Sequence, residues 1–405
     1  MNTPKVFVAI PAMDEMSSLP LTLADLACQT LQDFQVWVCV NQPDSWWHEP
    51  ERRRICEDNQ KTITFLQHFQ GLSLEVIDCA SPGCGWQGRK AGVGWARKTL
   101  FNKILEQADA EDLIVSLDAD TRVRPDYLAS LLCSFGQHPE WPAMAVPYYH
   151  PLSGEEFMDR AMLRYELYMR NYALNMLLTD TPYQYTALGS AIAMRAGALR
   201  KIGGITPYQS GEDFYLLQKF CKMAGIGTTN DEMVYPATRT SDRVPFGTGP
   251  AIRQGMEDEN TSYPIFHQQL WQPVREAVHL LPQLYQEDVD NDFLNFLKDQ
   301  FKEEDVWGPI RKNVKDLSHF THAFHEKADG LRILQYVRRG HARQPMTDER
   351  ALWDNMISWM PDRIPSWFTP EVSFQDLSVP QLDQLRDLLF EEECRLHQQK
   401  THHNQ

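Results

Sequence analysis

Asp118-Ala119-Asp120 follows directly on the apolar run Leu113-Ile114-Val115-Ser116-Leu117. Two carboxylates one residue apart at the end of a buried strand can both reach one divalent cation. A cation held by a few carboxylates plus substrate phosphates suits Mg2+ or Mn2+, and it would neutralise a diphosphate as charge builds on it. The alternative is two solvated acids at a turn. Gly211-Glu212-Asp213 opens the helical pattern Phe214, Leu217, Phe220, Cys221 and Ala224, which Gly225 ends. Ser210 with Asp213 three residues later fits a capping box in which Asp replaces the usual Glu or Gln, and an acid in a first turn complements the helix dipole. The chemical alternative makes Asp213 a general base that takes the proton of an attacking hydroxyl.

Two basic stretches accompany these acids. Arg89-Lys90 precedes Ala91-Gly92-Val93-Gly94-Trp95-Ala96-Arg97, where glycines at a helix start let backbone N–H groups approach a phosphate and the cations add charge, or where the Lys and Arg are simply solvated. Arg239-Thr240-Ser241-Asp242-Arg243 runs into Gly247-Thr248-Gly249, as a phosphate-closing loop would or as a surface loop pinned by Asp242. His319, His322 and His325 share a spacing of three and read as the polar face of an amphipathic helix. Trp353, Trp359 and Trp367 read as core or interface rather than as a sugar-stacking platform.

The elements that must position these groups alternate. Apolar runs at Val6–Ile10, Phe34–Val40, Leu74–Ile77 and Leu113–Leu117 are separated by helical patterns through Leu21–Ala27 and Lys90–Ala108, and Pro125 and Gly136 bracket a further helix. Strands alternating with helices imply a mostly parallel sheet flanked by helices. The polar residues Asp14, Glu15, Asn41, Asp118 and Asp120 fall where strands end, and the ligand crevice of open α/β sheets lies at those carboxyl ends. Beyond about residue 265 the sequence becomes rich in Glu, Asp, Gln, Leu and Trp at helical spacing. The expected organisation is an α/β domain over 1–260, a helical C-terminal region over 261–397 and a polar tail over 398–405.

The chain of 405 residues is long enough for a sizeable core. Its 39 Lys and Arg against 55 Asp and Glu give a net charge of −16, which opposes non-specific binding to nucleic acid or to an anionic membrane. The eight cysteines contain no CxxC pair and no zinc spacing, as in a protein with reduced, packed thiols. No signal peptide is legible, and no run approaches the roughly 18 apolar residues of a membrane span. The expectation is a soluble, cytoplasmic protein without a transmembrane segment.

Taken in order, Val6…Ile10-Pro11-Ala12-Met13-Asp14-Glu15, Val36…Val40-Asn41, Lys90…Gly94, Asp118-Ala119-Asp120, Gly189-Ser190-Ala191-Ile192-Ala193-Met194-Arg195 and Gly211-Glu212-Asp213 resemble glycosyltransferase family 2 over roughly residues 4–250. The resemblance implies a GT-A-type, Rossmann-like fold and a hexosyltransferase-type activity on a UDP- or GDP-linked sugar donor, with Mn2+ or Mg2+. It implies that Pro11, Glu15, Asn41, Lys90, Asp118, Arg239 and Arg243 bind the nucleotide-sugar. Asn41 stands where family members carry an aspartate that contacts the base or ribose. It further implies Asp120 and Asp118 as metal ligands, Gly189 and Ser190 on the acceptor side, and Glu212 with Asp213 as the catalytic acids. Asp213 would be the base of an inverting single displacement. A sugar, a lipid-linked precursor or a small metabolite would be the acceptor, and the Trp-rich C-terminal region could offer an interface for a homo-oligomer. Retaining transfer on the same fold and a non-catalytic nucleotide-sugar-binding scaffold are the alternatives. A sugar-1-phosphate nucleotidyltransferase would want a glycine-rich loop after the first strand, and Pro11 to Glu15 contains no glycine.

Overall fold

Every residue of Val6–Ala12 is buried, as a run with no polar side chain must be when a strand is covered on both faces. This strand, β1, lies between two others in a six-stranded sheet of the computed structural model, which describes residues 3–88, 90–208, 210–239 and 263–403. The described residues fall into two compact units, one within Met1–Met158 and Thr186–Arg253 and the other within Asp159–Tyr185 and Gln254–Gln405.

In the first unit β1 is followed by α1 (Leu19–Ala27), β2 (Phe34–Asn41), α2 (Arg53–His68), β3 (Leu74–Cys79), α3 (Val93–Leu105), β4 (Leu113–Ser116), β5 (Thr121–Val123), α4 (Tyr127–Gln137) and β6 (Ala143–Ala145). The chain then enters α5 (Glu156–Leu177) and returns through β7 (Ile192–Arg195), α6 (Ala196–Lys201), α7 (Glu212–Ala224) and β8 (Val234–Pro236). A six-stranded sheet runs in the order β3-β2-β1-β4-β7-β6. β3, β2, β1 and β4 are parallel, and β7 is antiparallel to both of its neighbours. The mostly parallel sheet expected from the alternation is therefore present, with β7 reversed.

Register aligns the strand ends. Ala12 pairs with Val40 and Ala9 with Ser116, so β1, β2 and β4 all deliver polar residues to one edge of the sheet. The helix α3 packs on β1 and β2 through Leu100, Phe101 and Ile104, each at most 1% exposed. Burial of that kind contributes about 1.5–3 kcal/mol per side chain. α3 starts later than the sequence suggests, because Gly92 at φ 88 turns the chain before it. α4 departs from expectation at both ends. Asp126 takes its N-cap, leaving Pro125 outside, and the helix runs through Gly136 to Gln137. The buried face of Leu128, Leu131 and Phe135 outweighs the roughly 1 kcal/mol that glycine costs inside a helix.

The second unit combines residues 159–177 of α5 with α8 (Gln272–His279), α9 (Leu281–Leu284), α10 (Asp292–Phe301), α11 (Gly308–Asn313), α12 (Leu317–Lys327), α13 (Gly330–Arg343), α14 (Asp348–Trp359) and α15 (Val379–His403). It is helical, as its composition suggests. Leu163, Leu167 and Leu174 of α5 share a core with Leu352 and Met356 of α14 and with Leu382, Leu385 and Leu389 of α15. Trp353, Trp359 and Trp367 pack against this core. Within it Glu166 is paired with Arg170 and Arg386, so the buried charges are compensated as burial requires. His319 and His322 lie on the exposed face of α12, but His325 departs from the expected polar face. It is half-buried, and that burial pushes its pKa down to about 4. Among the described residues no helix is long and apolar enough to cross a membrane.

Candidate functional site

The acids singled out by sequence converge on two arginines. Arg97 stands in the buried stripe of α3 with Gly94, Leu100, Phe101 and Ile104, and its side chain is only 4% exposed. One guanidinium nitrogen donates to Asp118 beyond β4 and the other to Glu212 at the start of α7. Its Nε donates to Ser116 Oγ at 3.2 Å, and Ser116 Oγ donates to the Gly189 carbonyl at 2.7 Å. Gly189 has no Cβ for a reason: one would collide with the Arg97 guanidinium. Burial works against the charge of Arg97, but Asp118, Glu212 and Asp213 outweigh it and push its pKa up.

Asp213 follows Glu212 in the first turn of α7. Ser210 is not the N-cap that the capping-box reading required. Gly211 occupies the N-cap at φ 74, a left-handed conformation open to glycine without strain. The Asp213 carboxylate instead accepts the adjacent Phe214 N–H at 2.7 Å. Burial and the neighbouring Glu212 carboxylate raise its pKa to about 7, against the opposing pull of Arg97. A carboxyl poised near neutrality is suited to accept and release a proton.

The second arginine arrives on a β-ribbon. β5 pairs antiparallel with β8, with Thr121 opposite Pro236, and three residues on Arg239 reaches back to Asp120. Its Nε donates to Asp120 Oδ2 at 2.6 Å, and a terminal nitrogen bonds Glu15 Oε1. Burial again opposes the charge, while Asp120 and Glu15 raise the pKa of Arg239. The turn carrying the two aspartates is itself fixed. Thr121 N donates to the Asp118 carbonyl at 3.1 Å, and Thr22 Oγ1 of α1 donates to the Ala119 carbonyl at 2.9 Å.

The end of β2 is held by amides. Asn41, 3% exposed, donates from Nδ2 to the Ala12 carbonyl at 3.0 Å and accepts the Trp86 indole N–H at 3.3 Å. Asn59 Nδ2 of α2 donates to Gln42 Oε1 at 2.7 Å, and its Oδ1 accepts from the Asp14 amide at 2.9 Å.

Asp118 and Glu212 are thus bound by Arg97, and Asp120 and Glu15 by Arg239, at the carboxyl edge of the sheet, with Gly189 tied in through Ser116 and Asp213 next to Glu212. Ser190 is buried in the turn before β7, and Pro11 is buried in β1. Lys90 is exposed, its ammonium 5.4 Å from the Trp95 ring centroid and outside the two-arginine chain. Arg243 lies outside the described residues. Sequence reasoning quoted Arg97 only as the end of a basic stretch and gave neither it nor Ser116 a place in the site. The signal was available: an arginine within an apolar helical stripe is buried only when paired. Asp118 and Asp120 supply hard oxygen donors, but each is engaged by an arginine. Among the described residues no group of three His, Cys, Asp or Glu side chains is arranged to hold a metal ion. A two-carboxylate set fits Mg2+ or Mn2+ when substrate phosphates and water fill the remaining positions.

No family model and no curated protein sequence matches this chain. Among solved structures it is similar to S. aureus TarS 1–349 in complex with UDP-GlcNAc, at 13% identity over 98% of this chain and 92% of that one, with a TM-score of 0.42. It is also similar to the mannosyltransferase PcManGT from Pyrobaculum calidifontis in complex with GDP-Man and Mn2+, at 16% identity over 96% and 88% of the two chains, with a TM-score of 0.36.

Proposed function

We propose that this chain is a glycosyltransferase of GT-A type, which moves a sugar from a UDP- or GDP-linked donor to an acceptor hydroxyl with inversion. The observation that carries this is the Arg97 bridge. One buried guanidinium ties Asp118, on the donor side, to Glu212, whose neighbour Asp213 is a carboxyl tuned to about 7. A structural salt bridge alone would not call for a second acid beside it.

The donor's diphosphate would lie beyond β4, with Glu15, Pro11 and Lys90 toward the nucleotide and Arg239 closing on the phosphates. Asp120 and Asp118 would hold Mn2+ or Mg2+, and that ion would stabilise the departing diphosphate by its charge. In the transfer, the acceptor oxygen forms a bond to the anomeric carbon while the bond from that carbon to the diphosphate oxygen breaks. The hydroxyl proton passes to the Asp213 carboxylate, and the nucleoside diphosphate leaves with the electron pair. Arg97 holds Glu212 and thereby the first turn of α7, which fixes where Asp213 points. Gly189 and Ser190 would border the acceptor, which is a sugar, a lipid-linked precursor or a small metabolite.

The test is release of nucleoside diphosphate from UDP- and GDP-sugars, with and without acceptors, by wild type and Asp213→Asn. Transfer that disappears in the variant while donor binding persists supports the assignment. Equal turnover by both proteins overturns it.

A further inference from the structure

At the end of β2 a chain of hydrogen bonds leads to an indole. Asn41 Nδ2 donates to the Ala12 carbonyl at the end of β1, and Asn41 Oδ1 accepts from Trp86 Nε1. The backbone of Trp86 is fixed as well. Its N–H donates to the Gln42 carbonyl at 2.8 Å, its carbonyl accepts from the Asp44 amide at 3.0 Å, and it bridges Pro43 in parallel. Asp44 Oδ1 then accepts from the Gly83 amide at 2.8 Å and closes the loop. Trp86 therefore sits on a loop yet is held at both backbone groups and at its ring N–H. Asn41 is almost wholly buried and its amide is engaged on both sides, whereas Trp86 is half-buried. Of the two, the indole is the one with surface to offer.

We infer that Trp86 is the nucleobase-stacking residue of the donor site and that Asn41 is a positioning residue that orients it. This rests on the donor reading above, in which a nucleoside diphosphate has its phosphates beyond β4. Strand order sets β1 between β4 and β2. With strands about 4.8 Å apart, the ends of β4 and β2 are separated by about 10 Å, a span that a nucleotide bridges from diphosphate to base. An aromatic face accepts any base, because every base has a π-face. The identity of residue 41 follows from the same geometry. An asparagine can donate to the Ala12 carbonyl, while an aspartate carboxylate has no proton to give.

The experiment titrates UDP, GDP and inorganic pyrophosphate, each with Mn2+, into the full chain and into Trp86→Leu, Trp86→Phe and Asn41→Asp. Pyrophosphate carries no base, so it reads the phosphate end alone. Trp86→Leu is expected to weaken UDP and GDP by about 5- to 150-fold, the range for one lost base stack, and to leave pyrophosphate unchanged. Trp86→Phe recovers most of the nucleotide affinity but loses the indole-emission quench that wild type gives on nucleotide binding. Asn41→Asp weakens the nucleotides by less than Trp86→Leu, again sparing pyrophosphate. Unchanged nucleotide affinity in Trp86→Leu overturns the inference, as does equal loss of nucleotides and pyrophosphate. Should Trp86→Leu fail to fold, the Phe variant decides. A quench that persists in it places the base elsewhere. Wild type that binds pyrophosphate no less tightly than UDP or GDP refutes the stacking and leaves the diphosphate site standing, whereas wild type that binds none of the three refutes the proposed function itself.

Discussion

Arg97→Met removes the cation shared by Glu212 and Asp118 and leaves their carboxylates behind. The two partners differ in what that costs. The Glu212 side chain is only 4% exposed, whereas Asp118 is 37% exposed and can be hydrated in place. Breaking a buried pair by removing one partner typically costs about 3–5 kcal/mol, and nearly all of that should come from Glu212. Urea unfolding of the full chain, followed by tryptophan emission, measures it directly. Adding Glu212→Gln to Arg97→Met should restore a large part of the loss, since the stranded charge is then gone. Arg97 also pulls the pKa of Asp213 down, so its removal should move the acidic limb of the transfer rate above about pH 7. A single-variant cost below about 1 kcal/mol, the range of exposed pairs, would refute the reasoning, as would a double variant no more stable than the single one.

Asp213→Asn should lower transfer by about 100- to 10,000-fold, the worth of a general base, with donor affinity unchanged by titration. In wild type Asp213 must be ionised to accept a proton, so the rate should fall as pH drops through about 7. The stability effect has the opposite sense. A folded pKa raised from 3.8 to about 7 gives stability that is full below the unfolded value and is lost as pH rises through the folded one. Asp213→Asn should therefore melt above wild type near about pH 8 and lose that margin toward about pH 5. Gly189→Ala drives a methyl into the Arg97 guanidinium and should cost about 1–3 kcal/mol, together with a loss of transfer, both read on one preparation. Chelation by EDTA should weaken nucleoside diphosphate binding in wild type. Arg239→Ala, which frees Asp120, should tighten Mn2+ binding measured without nucleotide.

The sheet was legible because its central strands β1 and β4 are buried on both faces. Val6–Ala12 and Leu113–Ser116 carry no competing pattern, and the acids beyond them fall at one edge of the sheet. The reversal of β7 was not legible, since Ile192–Arg195 is as short and apolar whichever way it runs. Asp118, Asp120, Glu212 and Asp213 were singled out as candidates from type and spacing. Arg97 was not, because partners 21 and 115 residues away leave no local trace beyond a charge in an apolar stripe. Trp86, proposed above to stack the base, was not singled out, for a similar reason. Its bond to Asn41 spans 45 residues, and the loop between them has no periodicity to read. The second unit gave only its helicity, as its core of leucines and tryptophans says how it packs and nothing of what it binds.

The central claim, that the carboxyl edge of β1, β2 and β4 binds a nucleotide-linked diphosphate, is tested most directly by thermal shift. UDP, GDP, ADP and their sugar conjugates would each be added with Mn2+, Mg2+ or EDTA. A ligand at a hundredfold over its dissociation constant stabilises the fold by about 2.7 kcal/mol. A metal-dependent rise in Tm with UDP or GDP, reduced in Asp120→Ala, is the predicted result. No shift with any nucleotide under any metal condition would contradict it, and Asp118 and Asp120 would then be the arginine-bound acids of a structural turn.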